Sequence, residues 1–354
     1  MAHYVELLIR ASERAAVVAR TFIVESSEDS LLISEKVEGE ANSRFEKDFK
    51  TIADVVAQEA AKRELRLRQP RLAGEREFRA EEKPEINGLR IEILDTRDET
   101  TELLSNLLPP ATARRLAEAA HCTLDVDMED YNIPAELPDI PIEDLHIWMD
   151  PIDGTAEFIA GVKGNAAAGR GLPCVTVLIG AYQHRTGEPS IGVINQPFFE
   201  KGKSRIIWGY NYKGTSAYGG FVPNPNPPKV ILMSESEKPL YVENFKKSGW
   251  EVKFLPGCGN KMLQVALGEA TAYVCSNPTT YYWDTCGPNA IIQALGGNIL
   301  SVRDSMDIMY NIAHGGKPSM YSNFKGIVVF TNESNNNLPV QRNIGNLSKF
   351  LKLF

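Results

Sequence analysis

No two cysteines in this chain stand at C-x-x-C spacing. The five present, Cys122, Cys174, Cys258, Cys275 and Cys286, are odd in number and scattered, which argues against both a disulfide framework and a zinc ribbon. Reduced thiols and a cytoplasmic location are the expectation. Basic charge is short as well: 38 lysines and arginines against 46 aspartates and glutamates leave a net charge of -8, so a broad electropositive face for a nucleic-acid backbone is not expected. Long apolar runs are missing, the longest lying around Cys174 to Tyr182, far short of the ~20 residues that cross a bilayer. Glu6, Arg10, Glu13 and Arg14 interrupt the N-terminal apolar residues, so that stretch reads as an ordinary helix rather than a signal peptide. There is no internal repeat and no low-complexity tract. With 43% hydrophobic and 24% charged residues over 354 positions, the sequence describes a globular protein of one large or two closely packed domains.

Val5, Leu8, Ile9, Ala16 and Ala19 recur at helical spacing, and Ile52, Val55, Val56 and Ala60 do so again between Thr51 and Leu67, so two helices are expected to open the chain. The charged segment SEKVEGEANSRFEKDFK between them suits a solvent-facing connection. Leu89 to Leu94 and Leu145 to Met149 alternate as half-buried strands do. CVTVLIGAY and PSIGVINQP, separated by HRTGE, suggest a hairpin of core strands. Beyond the proline-punctuated connector VPNPNPPK, strand patterns (VILMS, VKFLP, AYVCS, NILSV) alternate with helices near Leu240 to Ser248, Lys261 to Leu267 and Pro288 to Leu295. The expectation is an α+β domain over residues 1–170 and an α/β domain over 171–354.

The sharpest chemical feature is LHIWMD running into D-P-I-D-G-T. Asp150 and Asp153 at a strand end, with the Ile152 carbonyl between them, can converge on a divalent cation, and the amides of Gly154 and Thr155 could meet a phosphate oxygen. An acidic β-turn with ordinary turn residues is equally open. Glu81 and Glu82 lie in a run charged enough to be a solvated loop, yet one of them could reach a sheet-end cleft as a ligand. Asp284 could cap the helix that follows, with Pro288 in or near its first turn, or bridge to a cation. Asp54 is either exposed or a buried carboxylate that needs a partner. Gly257, Gly259, Asn260 and Lys261 form a glycine-rich turn suited to an anionic group, or simply a turn into a helix.

Taken jointly, D-F-K-T-x-A-D at Asp48 to Asp54, the Glu81-Glu82 pair, W-x-D-P-I-D-G-T at Trp148 to Thr155 and W-D-x-C at Trp283 to Cys286 resemble the magnesium-dependent, lithium-inhibited sugar- and inositol-phosphatase superfamily. DFKTIADVVAQE and CVTVLIGAYQHRTGEPSIGVINQPF are most similar to its inositol polyphosphate 1-phosphatase branch. The resemblance implies a layered αβαβα sandwich, two or three Mg2+ ions, inhibition by Li+, and a monomer that takes a small phosphate ester and binds neither nucleic acid nor membrane. It makes Glu81, Asp150 and the Ile152 carbonyl ligands of one ion, and Asp150, Asp153 and Asp284 ligands of a second. Asp54 would pair with Thr155 to activate water, and Glu82 would hold water or a further cation, with Asp54 also near the ions. Gly154 and Thr155 would bind the scissile phosphate, and Ser234, Glu235 and Lys261 would touch the ring and its other phosphates. The implied reaction is removal of the 1-phosphate from inositol 1,4-bisphosphate or 1,3,4-trisphosphate. The alternative is a 3'(2'),5'-bisphosphate nucleotidase acting on 3'-phosphoadenosine 5'-phosphate, suggested by Trp283-Asp284-Thr285-Cys286 and the G-x-G-N-K turn; an inert scaffold ranks below both. Two positions depart from the superfamily's pattern: Ala80 where glycine is common, and Gly154 where the polyphosphate branch often has serine.

Overall fold

The computed structural model describes residues 4–23, 33–36, 49–200, 202–311 and 318–331. Most of the charged connection 34–50, including Asp48, lies outside them. Helices α1 (Tyr4–Arg20) and α2 (Ile52–Arg68) open the chain, with two-residue strands β1 (Ser34–Glu35) and β2 (Phe49–Lys50) paired between them. Next come β3 (Phe78–Ala80), β4 (Glu85–Ile86), β5 (Leu89–Arg90), α3 (Arg97–Leu104), α4 (Pro110–His121), β6 (Leu145–Asp153) and α5 (Thr155–Val162). The expected hairpin is β7 (Thr176–Gln183) and β8 (Pro189–Glu200), continued by β9 (Lys203–Tyr212) and β10 (Thr215–Gly219). After the proline-rich loop follow β11 (Val230–Met233), α6 (Pro239–Lys247), β12 (Glu251–Phe254), α7 (Cys258–Ala266), β13 (Ala272–Cys275), α8 (Tyr282–Ala294), β14 (Asn298–Ser301) and β15 (Ile327–Phe330).

Two sheets organise these elements. One has the order β10-β9-β8-β7-β6-β3 and the other β12-β11-β13-β15-β14. Strands from both sides of residue 170 share the first sheet, so a division at that residue cuts through it, and we place the boundary in the loop 220–229 instead. Period-two alternation assigns the faces. Val177, Ile179, Ala181, Ile191 and Val193 pack with α1 and α2, whereas Leu178, Ile194 and Ile207 turn to α7 and α8. Val230 and Leu232 face the same two helices from the second sheet, and Ile231 and Met233 bury Tyr241 and Phe245 of α6 on its far side. The layers are therefore αβαβα.

Three expectations change. Only Leu89 and Arg90 of the stretch Leu89 to Leu94 join a ladder, while Ile91 and Ile93 are buried in the core without one. β6 is buried along its whole length rather than half-buried, because helices cover its sheet on both faces. α8 begins at Tyr282, so Pro288 lies inside the helix and not in its first turn, and cannot donate to the carbonyl of Asp284 as a residue there otherwise would.

Across β7, β8 and β9, Gly180, Gly192 and Gly209 stand in register. A Cβ on Gly192 would fall 1.8 Å from the Gly287 oxygen, one on Gly180 2.3 Å from the Gly287 nitrogen, and one on Gly209 2.5 Å from Ile291 Cα. The three absent side chains form a trough that lets α8 lie on the sheet backbone. That close approach sets the height of Asp284 above the strands.

Candidate active site

Asp150 and Asp153 sit at the end of β6, where the strand passes from Asp150 to Asp153 while β7 passes only from Leu178 to Thr176. One extra residue on β6 makes a bulge, and bulges re-aim side chains. Gly154 follows at φ 88°, the left-handed region in which glycine is unstrained, and starts α5. The departure from serine at this position matches the backbone. Asp284 comes from the first turn of α8, where it accepts a hydrogen bond from the Tyr281 amide at 2.6 Å. Carboxylate oxygens of Asp150, Asp153 and Asp284 all lie within 4.8 Å of one another, and all three residues are buried.

Such a cluster is electrostatically unfavourable on its own. Burial first, then the charges of Glu81, Asp153 and Asp284, push the Asp150 carboxyl well above its ordinary value. Burial followed by Asp153 and Glu81 does the same to Asp284. Asp153 is raised by burial but pulled back by Lys261 and by its hydrogen bonds. Those bonds come from Thr176 Oγ1 at 3.0 Å, the Cys258 amide at 3.2 Å and the Gly259 amide at 2.9 Å.

The glycine-rich turn thus does receive an anion, and the anion is the protein's own Asp153 at the start of α7. Lys261, expected at the substrate ring, is instead turned inward. Its Nζ donates to the carbonyls of Leu255 at 3.0 Å and Gly257 at 2.7 Å, which the turn into α7 presents to it, and rests over the Tyr273 ring. Ser234, at the end of β11, keeps a buried hydroxyl with no hydrogen-bond partner, while Glu235 is exposed and paired with Arg170.

Beside the aspartates, Asp54 is buried rather than exposed. Thr51 donates to its Oδ2 through N (2.7 Å) and Oγ1 (2.6 Å), and Thr155 Oγ1 lies 3.3 Å from its Oδ1 and 3.3 Å from the Ile152 oxygen. Burial outweighs the Thr51 bonds and lifts the Asp54 carboxyl to about 6. Glu81 and Glu82 are no solvated loop. They follow β3, which runs parallel to β6, and the Glu81 amide donates to the Met149 oxygen at 3.0 Å. Gln58 of α2 clamps the Glu82 backbone on both sides, accepting from its amide at 3.1 Å and donating to its carbonyl at 2.9 Å.

Lys36, which sequence reasoning did not single out, sets its Nζ 2.6 Å from Glu81 and 2.7 Å from Glu82. Even so, burial lifts Glu82 to about 8. A lone lysine in a charged stretch carries no signal of its own, and neither does Thr176 inside the run CVTVLIGAY or Arg170 among small residues in GNAAAGRGLPC. An aromatic wall of Trp148, Tyr281, Tyr282, Trp283 and Tyr310 packs behind the start of α8.

A model described as the inositol monophosphatase family matches residues 5–332. Inositol polyphosphate 1-phosphatase of Mus musculus is 33% identical over 386 aligned positions, covering 96% of each chain, and that of Homo sapiens is 33% identical over 336 positions, covering 85% of this chain and 83% of its own. Human 3'(2'),5'-bisphosphate nucleotidase 1 is 34% identical over 205 positions, 55% of this chain and 60% of its own. Among solved structures, the extragenic suppressor protein suhB from Bartonella henselae has a TM-score of 0.56 at 15% identity, covering 98% of this chain and 97% of its own. An IMPase/NADP phosphatase complexed with Mg2+ and phosphate has a TM-score of 0.54 at 14% identity, covering 96% and 90%. The layered fold agrees with both structures, and the alignments run nearly end to end: the chain belongs to the inositol monophosphatase family.

Proposed function

We propose that this protein is a magnesium-dependent, lithium-inhibited phosphomonoesterase that removes the 1-phosphate from inositol polyphosphates, acting as a cytoplasmic monomer. The observation that carries the reading is the convergence of Asp150, Asp153 and Asp284, three buried carboxylates from two separate elements, next to the Asp54–Thr155 pair. The nearly full-length likeness to inositol polyphosphate 1-phosphatases favours the inositol substrate over the nucleotide, whose relatives align over about half of the chain.

The donor set suits a hard cation: carboxylates and a carbonyl, all oxygen, with mutual repulsion that a divalent ion would relieve. Asp150, Asp153, Asp284, Glu81 and the Ile152 carbonyl would hold the ions, with Glu82 and Asp54 at their margin. Bound there, they would neutralise the phosphate and acidify a water.

The chain's own groups do the rest. Amides at the start of α5, after the left-handed Gly154, receive the phosphate oxygens. Thr155 Oγ1 takes the proton of the attacking water while passing its own to Asp54 Oδ1, so the proton count closes on a carboxylate held in place by Thr51. With Asp54 lifted to about 6, this relay is available above that pH and fades below it.

The test is phosphate release from inositol 1,4-bisphosphate, inositol 1-phosphate and 3'-phosphoadenosine 5'-phosphate, with and without Mg2+ and Li+. Release from the inositol bisphosphate that needs Mg2+ and falls with Li+ supports the proposal. Release from the adenine nucleotide alone, or none from any ester, overturns it.

Stability carries a second expectation. Unfolded, these carboxyls ionise near 3.8 (Asp) and 4.5 (Glu); folded, Asp54 is held at about 6, Glu82 at about 8, and Asp150 and Asp284 well above the ordinary value. The native state prefers their protonated forms, so its stability falls as pH rises past the unfolded values and goes on falling until the folded ones are passed. In chelator the denaturant midpoint should be lower at about pH 8 than at about pH 6.5. Each carboxyl still protonated only in the native state costs ~1.4 kcal/mol of stability for every pH unit climbed. Mg2+ should raise the midpoint more at the higher pH, where the site is ionised and ready to bind it. Denaturant titration at the two pH values checks it; a midpoint that is flat or rising would contradict the buried cluster.

A further inference from the structure

With Lys261 turned inward and Lys36 held by Glu81 and Glu82, a cation that keeps solvent access beside this site is Arg170, at 33% side-chain exposure. Its loop runs from α5 back to β7 and is rooted at the centre. The Cys174 oxygen lies 3.7 Å from where a Cβ on Gly154 would stand and 2.9 Å from where one on Gly257 would, the two turns on either side of Asp153. Arg170 forks between two carboxylates from different layers: Glu157 of α5 at 3.4 Å and Glu235, just beyond β11, at 2.5 Å.

The two partners are unequal. Glu157 is mostly buried at 13% exposure and also takes the Gly171 amide at 2.6 Å, so it fixes the loop. Glu235 is 67% exposed, and its carboxylate meets the guanidinium at the solvent edge. Its neighbour Ser234 has the buried hydroxyl without a partner. The guanidinium nitrogen that meets Glu235 can meet a phosphate oxygen instead while the other stays on Glu157, and a phosphate brings more charge and more acceptor oxygens than a carboxylate.

We propose that Arg170 is a specificity residue that exchanges Glu235 for a second phosphate on the substrate, while Glu157 keeps the guanidinium in position. The inference rests on the inositol bisphosphate reading above and names the group that would distinguish a bisphosphate from a monophosphate. Glu235 is then a placeholder for the distal phosphate rather than a ring contact.

The test measures kcat and KM for inositol 1,4-bisphosphate and inositol 1-phosphate in wild type, Arg170→Ala, Arg170→Lys and Glu235→Gln. Arg170→Ala should lower the preference for the bisphosphate, as a ratio of kcat/KM values, by about 10- to 100-fold, through KM, the range expected for a lost charge-assisted pair. Arg170→Lys should restore part of it, since it keeps the charge without the fork. Glu235→Gln should shift KM for the bisphosphate the other way, downward, because it removes the competitor. An unchanged ratio in Arg170→Ala, or equal losses on both substrates, reduces Arg170 to a loop clamp and overturns the inference while leaving the proposed function standing. A wild type that releases phosphate from neither inositol ester overturns both.

Discussion

Asp150→Asn should release phosphate from inositol 1,4-bisphosphate at least about 10^3-fold more slowly than wild type while remaining folded. Asparagine is nearly isosteric, and the hydrogen bond from the Ile152 amide to Asp150 Oδ1, at 3.1 Å, can be kept by the amide oxygen. What is lost is the negative charge, and with it a donor from the cluster with Asp153 and Asp284. The same change removes a carboxylate that repels Glu81, Asp153 and Asp284 in a buried site, so in chelator near pH 8 the variant should unfold later than wild type. Opposite signs for activity and stability distinguish a functional cluster from a structural one. Asp153→Asn is expected to be as slow but less stable, because Asp153 also holds Thr176 and the first amides of α7. Phosphate release together with a urea titration reads both quantities. Wild-type turnover in a folded Asp150→Asn would end the assignment.

Gly192→Ala is expected to destabilise the protein by on the order of 3 kcal/mol or more, a large share of the stability of any domain. The new methyl would meet the Gly287 carbonyl at 1.8 Å, a backbone atom of a helix sandwiched between two sheets, with Ala290 3.1 Å away. No rotamer change relieves that contact; α8 itself must lift. Since Asp284 rides on the first turn of α8, the lift would also spread the three aspartates, and whatever folded fraction survives should bind Mg2+ more weakly. A urea midpoint within error of wild type would show that the helix has room the geometry denies it.

Much of the architecture was legible because it rests on local pattern. The helical spacing in α1 and α2, the two runs flanking HRTGE, and the strand and helix alternation after residue 229 all describe faces that must be buried. The three aspartates that the fold brings together were singled out by motif order. What escaped depends on register or on distant neighbours. Gly180, Gly192 and Gly209 are ordinary singly and acquire meaning only when β7, β8 and β9 align them. Glu81 and Glu82 stayed ambiguous by local pattern, because β3 has three residues, too few for a period to show, and motif order alone put them among the expected ligands. Lys261 looked like a ligand for substrate because the carbonyls of Leu255 and Gly257 that hold it are set by a turn conformation no composition announces. Pro288 misled the start of α8, since proline suits a first turn better than the helix interior it occupies here.

The three aspartates also differ in when they come off the ribosome. From residue 150 to residue 284 is 134 positions, so two of the carboxylates are made long before the third. A nascent chain that has folded its first sheet already carries Asp150 and Asp153, yet it has neither α8 in the glycine trough nor the turn amides that Asp153 accepts from. Cation affinity should therefore arrive late and abruptly during synthesis. Half-made copies are then unable to hydrolyse phosphate esters before their architecture is complete.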